Sequence, residues 1–182
     1  VQTCALPILR VLNLFAYTGG ATLAAAAAGA SVCHVDASKG MTQWAKENAA
    51  ASGLADRPIR WIVDDCKKFV EREIRRGHKY DGIIMDPPSY GRGPTGQVWK
   101  IENDIADFIQ LTSQLLSDDP LFLLVNSYST GLAPAVMGYI LGTTIASRFG
   151  GHIDCQELGL PVKSTGYALP CGNTARWVNT NR

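Results

Sequence analysis

A chain of 182 residues, 46% apolar and 18% charged, is long and apolar enough for one domain with a sizeable core, which excludes disorder. Its formal charge of +1 supplies no global positive field of the kind that marks an independent nucleic-acid binder. The five cysteines (Cys4, Cys33, Cys66, Cys155 and Cys171) are odd in number and lack CxxC spacing, which argues against a disulfide framework and a zinc site.

Along the chain, strand and helix signals alternate. Val1 to Arg10 has neither the basic start nor the long apolar centre of a signal peptide, and carries no element that can be assigned. Val11 to Phe15 reads as a buried strand, and Thr22 to Ala28 as a helix closed by Gly29. Ala24 to Ala28 is too short to span a bilayer, and no other apolar run is long enough. Ser31 to Val35 is a second strand, ending at Asp36. Ser38 caps a helix that runs to about Ser52, with Met41, Trp44, Ala45 and Asn48 on one side. Ile59 to Val63 predicts a third strand, ending at Asp64-Asp65, and Cys66 to Arg76 a short helix with Val70 and Ile74 facing inward. The basic stretch from Lys67 to Lys79, diluted by Glu71 and Glu73, reads as a solvated helix face. Gly82 to Met85 is the fourth strand. Ile101, Ile105, Phe108, Thr112 and Leu115 recur at helical spacing. Leu121 to Val125 is the fifth strand, and Pro134 to Arg148 a helix opened by proline. Ile153 to Leu158 and Ala175 to Val178 close the chain as two strands with no helix between them.

Such alternation predicts a mostly parallel α/β sheet covered on both faces, with the final strands joined antiparallel because a parallel pair needs a long crossover. A sheet of this type binds ligands beyond the carboxyl ends of its strands. Phe15 to Gly20, Asp36, Asp65, Asp86 and Asn126 all fall at those ends. In the first loop, Gly19 and Gly20 remove side chains where backbone meets a ligand. The helix N-terminus that follows suits a phosphate or an amino-acid carboxylate. Glycine demanded by the turn alone explains that loop equally well. Asp36, about twenty residues further on, suits the two hydroxyls of a ribose. Asp65 suits an exocyclic amine, with Asp64 as competitor and helix capping as the bland alternative for both. In Asp86-Pro87-Pro88-Ser89-Tyr90 the prolines donate no hydrogen bonds, leaving the loop carbonyls free to face a substrate. Asp86 can polarise an amine, and Tyr90 can stack on a planar base. Gly91 to Gly96 has the composition of a mobile substrate loop. Arg92, Lys100 and Lys163 are candidates for phosphate contacts, with ordinary surface charge as the simpler reading.

At these residues the chain resembles the class I S-adenosylmethionine-dependent methyltransferases, and within them the bacterial large-subunit ribosomal RNA methyltransferases. The likeness covers Val11 to about Val178. It rests on Phe15-Ala16-Tyr17-Thr18-Gly19-Gly20, Val35-Asp36-Ala37-Ser38, Asp64-Asp65-Cys66 and Met85-Asp86-Pro87-Pro88-Ser89-Tyr90. The resemblance implies a Rossmann-like seven-stranded sheet, mostly parallel with an antiparallel C-terminal strand. It implies one catalytic domain over residues 11–182, preceded by an unassigned leader over 1–10. It also implies S-adenosyl-L-methionine as cofactor. Phe15, Ala16, Tyr17, Thr18, Gly19 and Gly20 would then surround its methionine part, Asp36 with Ala37 and Ser38 its ribose, and Asp65 with Cys66 its adenine. Asp86, Pro87, Pro88 and Tyr90 would frame the acceptor, with Asp86 also reaching the cofactor.

Cytosine-C5 enzymes of this group need a thiolate beside the proline loop or after the fifth strand. Pro87-Pro88-Ser89 and Asn126-Ser127-Tyr128-Ser129 stand there instead, with Cys171 the only stand-in. The expectation is therefore direct methyl transfer to a base nitrogen of RNA, in the cytoplasm, with no metal and no membrane partner. The rivals are a protein or small-molecule acceptor, a non-catalytic cofactor-binding fragment, and a nicotinamide-dependent oxidoreductase, which would want a third glycine in the first loop.

Overall fold

The computed structural model describes residues 8–92, 98–129 and 131–180. Its elements are β1 (Arg10–Leu14), α1 (Gly20–Ala27), β2 (Ser31–Asp36), α2 (Lys39–Ala51), β3 (Ile59–Val63), α3 (Cys66–Arg75) and β4 (Gly82–Met85). After these come β5 (Tyr90–Arg92), β6 (Val98–Lys100), α4 (Ile101–Ser113), β7 (Phe122–Ser127), α5 (Pro134–Leu141), α6 (Ser147–Phe149), β8 (His152–Pro161) and β9 (Ala168–Val178). Seven strands form one sheet in the order β3-β2-β1-β4-β7-β9-β8, while β5 and β6 pair separately. β1, β2, β3, β4 and β7 run parallel; β9 is antiparallel to both β7 and β8. The expected sheet, with its antiparallel closing strand, is the observed one.

The apolar runs explain the layering. Leu12, Leu14, Val35, Ile83, Met85, Leu123 and Val125 point from the strands into one continuous core with Phe69, Ile105, Ile109 and Met137 of α3, α4 and α5. Val11 and Val32 alternate to the opposite face, where Ala26 and Ala30 cover them. The small alanines of α1 let that helix lie close to the sheet. Strand order reverses between β1 and β4, so the carboxyl ends of β1, β2, β3, β4 and β7 open on one side as a crevice.

Four local features depart from the sequence reading. Trp44 is 51% exposed, and α2 buries Thr42, Ala45 and Ala49 instead. Glu73, which the sequence places on a solvated face, is fully buried on α3. It accepts hydrogen bonds from the Tyr80 hydroxyl (2.7 Å) and His78 Nδ1 (2.8 Å), and ion-pairs with Arg60 and Arg76. Burial alone would raise its carboxyl, but Tyr80, His78 and Arg60 together hold it below the ordinary value. The helix after Pro134 does not run evenly to Arg148; it widens into a π-helical turn over Gly142–Ala146. There the Thr143 and Thr144 hydroxyls donate back to the Tyr139 and Ile140 carbonyls, competing with the backbone ladder. Finally, β8 and β9 extend beyond the predicted strands. Their outer halves are exposed on both faces and so carry no burial pattern for a sequence to display.

Candidate active site

The turn after β1 is built from strained backbone. Phe15 and Tyr17 both hold left-handed conformations, with φ of 55° and 48°. Bulky aromatic residues rarely adopt this region, and each costs on the order of 1–3 kcal/mol. Two hydrogen bonds hold the strain at those same residues. Phe15 N–H donates to Cys66 Sγ (3.3 Å) and Tyr17 N–H to Asp36 Oδ2 (2.8 Å). Asn48 of α2 adds a third tie, donating to the Thr18 carbonyl at 3.0 Å. Gly19, with φ of 88°, sits where an added Cβ would lie 3.0 Å from that of Ala45. Its glycine is demanded by turn geometry and helix packing, the plainer of the two readings of that loop.

Asp36 Oδ1 accepts from Ser38 N–H (2.8 Å), so each carboxylate oxygen binds one backbone donor and keeps acceptor capacity. Ser38 Oγ in turn caps α2 by accepting from Met41 N–H at 3.3 Å, as predicted. Asp65 Oδ1 caps α3 by accepting from Lys68 N–H (2.9 Å), while Asp64 binds the Arg72 guanidinium and the Asp65 N–H. The two alternatives for Asp65 are thus compatible, because capping uses only one of its oxygens. Cys66 is buried, and that burial pushes its thiol well above the ordinary range.

These groups meet in a cleft of about 760 Å³. Its walls include Phe15, Tyr17, Asp36, Ala37, Asp64, Asp65, Cys66, Asp86 and Pro88. The remaining predicted residues, Ala16, Thr18, Gly19, Gly20, Ser38, Pro87 and Tyr90, are not among the lining residues. Asp86 touches solvent, but the enclosing protein strips enough of its hydration to raise its carboxyl above the ordinary value.

The proline loop differs from its reading in a specific way. The Pro88 carbonyl accepts from the Trp99 indole N–H (2.6 Å) and the Ser89 carbonyl from Ile101 N–H (3.1 Å), so each already has one protein donor and keeps one lone pair. Trp99 lies on β6, which pairs with β5 over part of the segment read as a mobile loop; residues 93–97 lie outside the described residues. Its ring packs 5.8 Å from Phe15 and 5.6 Å from Phe108, closing an aromatic corner at the base of the cleft. Tyr90, 50% exposed, sits on β5, where its hydroxyl accepts from Arg92 Nε at 2.8 Å. Trp99, Phe108, Lys67, Lys68, Arg92 and Tyr128 line the cleft as well. The sequence reading did not select Trp99, Phe108 or Tyr128, because nothing local marks a tryptophan in a three-residue strand or a tyrosine just past one. Cys171 lies exposed on β9 and does not line the cleft. Among the described residues no His, Cys, Asp and Glu group has metal-binding geometry, and no helix is long and apolar enough to cross a membrane.

A nucleoside cofactor fits this lining. Carboxylates with spare lone pairs stand at two adjacent strand ends, apolar walls lie between them, and the volume falls within the roughly 300–1,000 Å³ usual for small-molecule sites. Comparison with known proteins bears on the same point. Solved structures include a SAM-dependent methyltransferase from Agrobacterium tumefaciens, 41% identical, with a TM-score of 0.90 over 97% of this chain and 58% of that one. A magnesium protoporphyrin IX methyltransferase from Synechocystis PCC 6803, solved with bound SAM, shares the fold at 19% identity, with a TM-score of 0.62 over 97% of this chain and 72% of that one. Curated relatives include the ribosomal RNA large subunit methyltransferases K/L of Shewanella frigidimarina (35% identical over 120 residues, 65% of this chain) and Allochromatium vinosum (32% over 148 residues, 77%). The chain spans only 17% and 20% of the lengths of those two relatives. The sequence pattern of the S-adenosylmethionine-dependent methyltransferases matches residues 1–126, the part that carries β1 to β4 and the strand ends at which Tyr17, Asp36, Asp65 and Asp86 stand. With fold, cleft and sequence pattern in agreement, the chain belongs to the S-adenosylmethionine-dependent methyltransferase family.

Proposed function

We propose that this chain is a catalytic domain that transfers a methyl group from S-adenosylmethionine to a nitrogen on a base of RNA, ribosomal RNA being the acceptor that the relatives' names suggest. The observation that carries the reading is the meeting of Tyr17, Asp36, Asp65 and Asp86, from four separate strand ends, in one cleft. Asp36 accepts the ribose hydroxyls with the lone pairs its two backbone bonds leave over. The free oxygen of Asp65 accepts from the adenine amine, beside Cys66. The Phe15 to Gly20 turn encloses the methionine part, with Tyr17 as its outer wall. Thr18, Gly19 and Gly20 act here through the turn they shape, and Ser38 through its N–H on Asp36.

When bound, the cofactor supplies an electrophilic methyl group on a sulfonium, whose S–C electron pair stays on sulfur as the new N–C bond forms. Asp86 holds an acceptor N–H so that the nitrogen lone pair faces that methyl, and takes up the proton the nitrogen loses. Pro87 and Pro88 fix the loop that carries Asp86, and Trp99 clamps it through the Pro88 carbonyl. The aromatic corner excludes water, so positioning and desolvation supply most of the rate. An RNA acceptor places this activity in the cytoplasm. Methyl-tritiated S-adenosylmethionine, incubated with the protein and an extract then split into RNA, protein and small-molecule fractions, tests the reading. Label in RNA supports it; label confined to either other fraction overturns the acceptor.

A further inference from the structure

The exposed aromatic Tyr128 has no structural task. It follows β7 directly, is 56% exposed and lines the cleft, and among the described residues it forms no ring pair and its hydroxyl no hydrogen bond. Its backbone, by contrast, is tightly built. Ser127 and Ser129 on either side are buried, and Ser129 N–H donates to Ser127 Oγ at 3.2 Å. Ser129 Oγ donates to Glu102 Oε1 (2.8 Å), tying the segment to α4. Behind it, Gly172 of β9 (φ 141°) approaches so closely that an added Cβ would lie 2.5 Å from the Ser127 carbonyl oxygen and 3.2 Å from Tyr128 Cα. A large apolar ring is thus presented to solvent, inside a cleft, from a support pinned on three sides. What sets this ring apart from the more exposed Tyr139 and Tyr167 is that it stands inside the cleft, where a flat partner can cover it.

Strand register identifies the partner's place. Met85, the last residue of β4, lies beside Val125 of β7, so Asp86 leaves the sheet next to Asn126, while β7 runs on to Ser127 against β9 and Tyr128 follows it. Tyr128 therefore lines the cleft from the strand beside the one that carries Asp86, the carboxylate proposed to hold the acceptor nitrogen. Tyr90, the residue the sequence offers for stacking, is not itself among the lining residues, although Gly91, Arg92 and Trp99 of the same hairpin are, and its hydroxyl accepts from Arg92 Nε.

We propose that Tyr128 is the residue that stacks on the acceptor, selecting a planar unsaturated ring and holding its edge toward Asp86. This rests on the methyltransferase reading above but not on the acceptor being RNA. Base-on-aromatic stacking is insensitive to which base is present, so Tyr128 selects flatness and Asp86 selects the nitrogen.

The test uses the full chain as wild type, Tyr128→Phe, Tyr128→Ala and Tyr90→Ala. S-adenosylhomocysteine affinity is measured by calorimetry, and tritiated methyl transfer to unmethylated large-subunit ribosomal RNA gives KM and kcat. The expected result is S-adenosylhomocysteine affinity within about twofold throughout and acceptor KM raised about tenfold or more by Tyr128→Ala, with Tyr128→Phe near wild type and Tyr90→Ala affected less. An unchanged KM in Tyr128→Ala overturns the proposal, as does a loss of S-adenosylhomocysteine affinity that accounts for the whole defect. If wild type binds S-adenosylhomocysteine but labels only a protein or small-molecule fraction, the RNA reading fails. The same KM comparison on that fraction then decides Tyr128. Absence of transfer to every fraction overturns both.

Discussion

Two aromatic residues in a conformation usually left to glycine show how the site is held together. Phe15 and Tyr17 keep positive φ because Cys66 and Asp36 each accept the N–H of the strained residue. The residue proposed to bind ribose is therefore also a support of the turn proposed to enclose methionine. Asp36→Ala is expected to weaken S-adenosylhomocysteine binding about 10- to 100-fold, since it removes hydrogen bonds to a charged group and releases Tyr17 together. Calorimetric titration measures this, and wild-type affinity in the variant would remove Asp36 from the site. Asp86 makes a contrasting prediction. Desolvation raises its carboxyl, so the folded state binds this proton more tightly than the unfolded chain and ionisation works against folding as pH rises. Asp86→Asn should thus leave the melting temperature unchanged or higher while turnover falls at least about 100-fold. The acid limb of wild-type kcat/KM should lie above the ordinary carboxylate pKa. A variant that melts lower yet turns over normally would contradict both roles.

Among the elements, α3 links the two ends of the sheet. Its first turn carries Asp65 and Cys66 into the cleft, and its last turns bury Glu73 beneath Arg60, Arg76, His78 and Tyr80. Glu73→Ala strands the Tyr80 hydroxyl and leaves two guanidinium groups unpaired, so stability should fall by about 2–4 kcal/mol in urea unfolding. Those guanidinium groups remain partly solvated, which keeps the effect below that of a fully enclosed pair. A change below about 0.5 kcal/mol would show that the network carries little of the fold. α2 is positioned by its cap at Ser38 and by the close fit of Ala45 against Gly19. Gly19→Ala must strain φ and push that contact, so it should lower both stability and cofactor affinity. Retention of wild-type values in both would show that the turn can relax.

For the molecule as a whole, acid sensitivity originates in a network between β1, α1 and β2. Asn13 Nδ2 donates to Thr22 Oγ1 (2.8 Å), and Thr22 Oγ1 lies 2.9 Å from His34 Nδ1. Burial lowers His34 from the usual 6.5 to about 4. The unfolded chain takes up this proton first as pH falls. Stability is therefore full above about 6.5 and is lost progressively towards 4, by roughly 3 kcal/mol. Glu73, held low in the folded state, adds a further loss only below its ordinary carboxylate value. Urea unfolding at pH 7 and pH 5 should show the first loss in wild type and a smaller one in His34→Gln; equal losses would reassign it.

Much of this architecture was legible because it repeats. Apolar strands, the helix cap at Ser38, the first-turn proline at Pro134, and polar residues at strand ends recur at spacings that a sequence displays directly. Cross-chain pairings were not legible. Glu73 looks like any surface glutamate until Tyr80 and Arg60 fold over it, and Trp99 reaches the Pro88 carbonyl only through the β5–β6 pairing. Nor does Tyr128 carry a local sign that β9 will support it from behind.

The claim beneath all of this is that separate strand ends build one nucleoside cleft, and amide chemical-shift mapping during titration with S-adenosylhomocysteine tests it most directly. Large shifts should appear together at Phe15 to Gly20, Asp36 to Ser38, Asp65 to Lys68 and Asp86, at one common dissociation constant. Shifts confined to one of these segments, or centred elsewhere on the sheet, would contradict it.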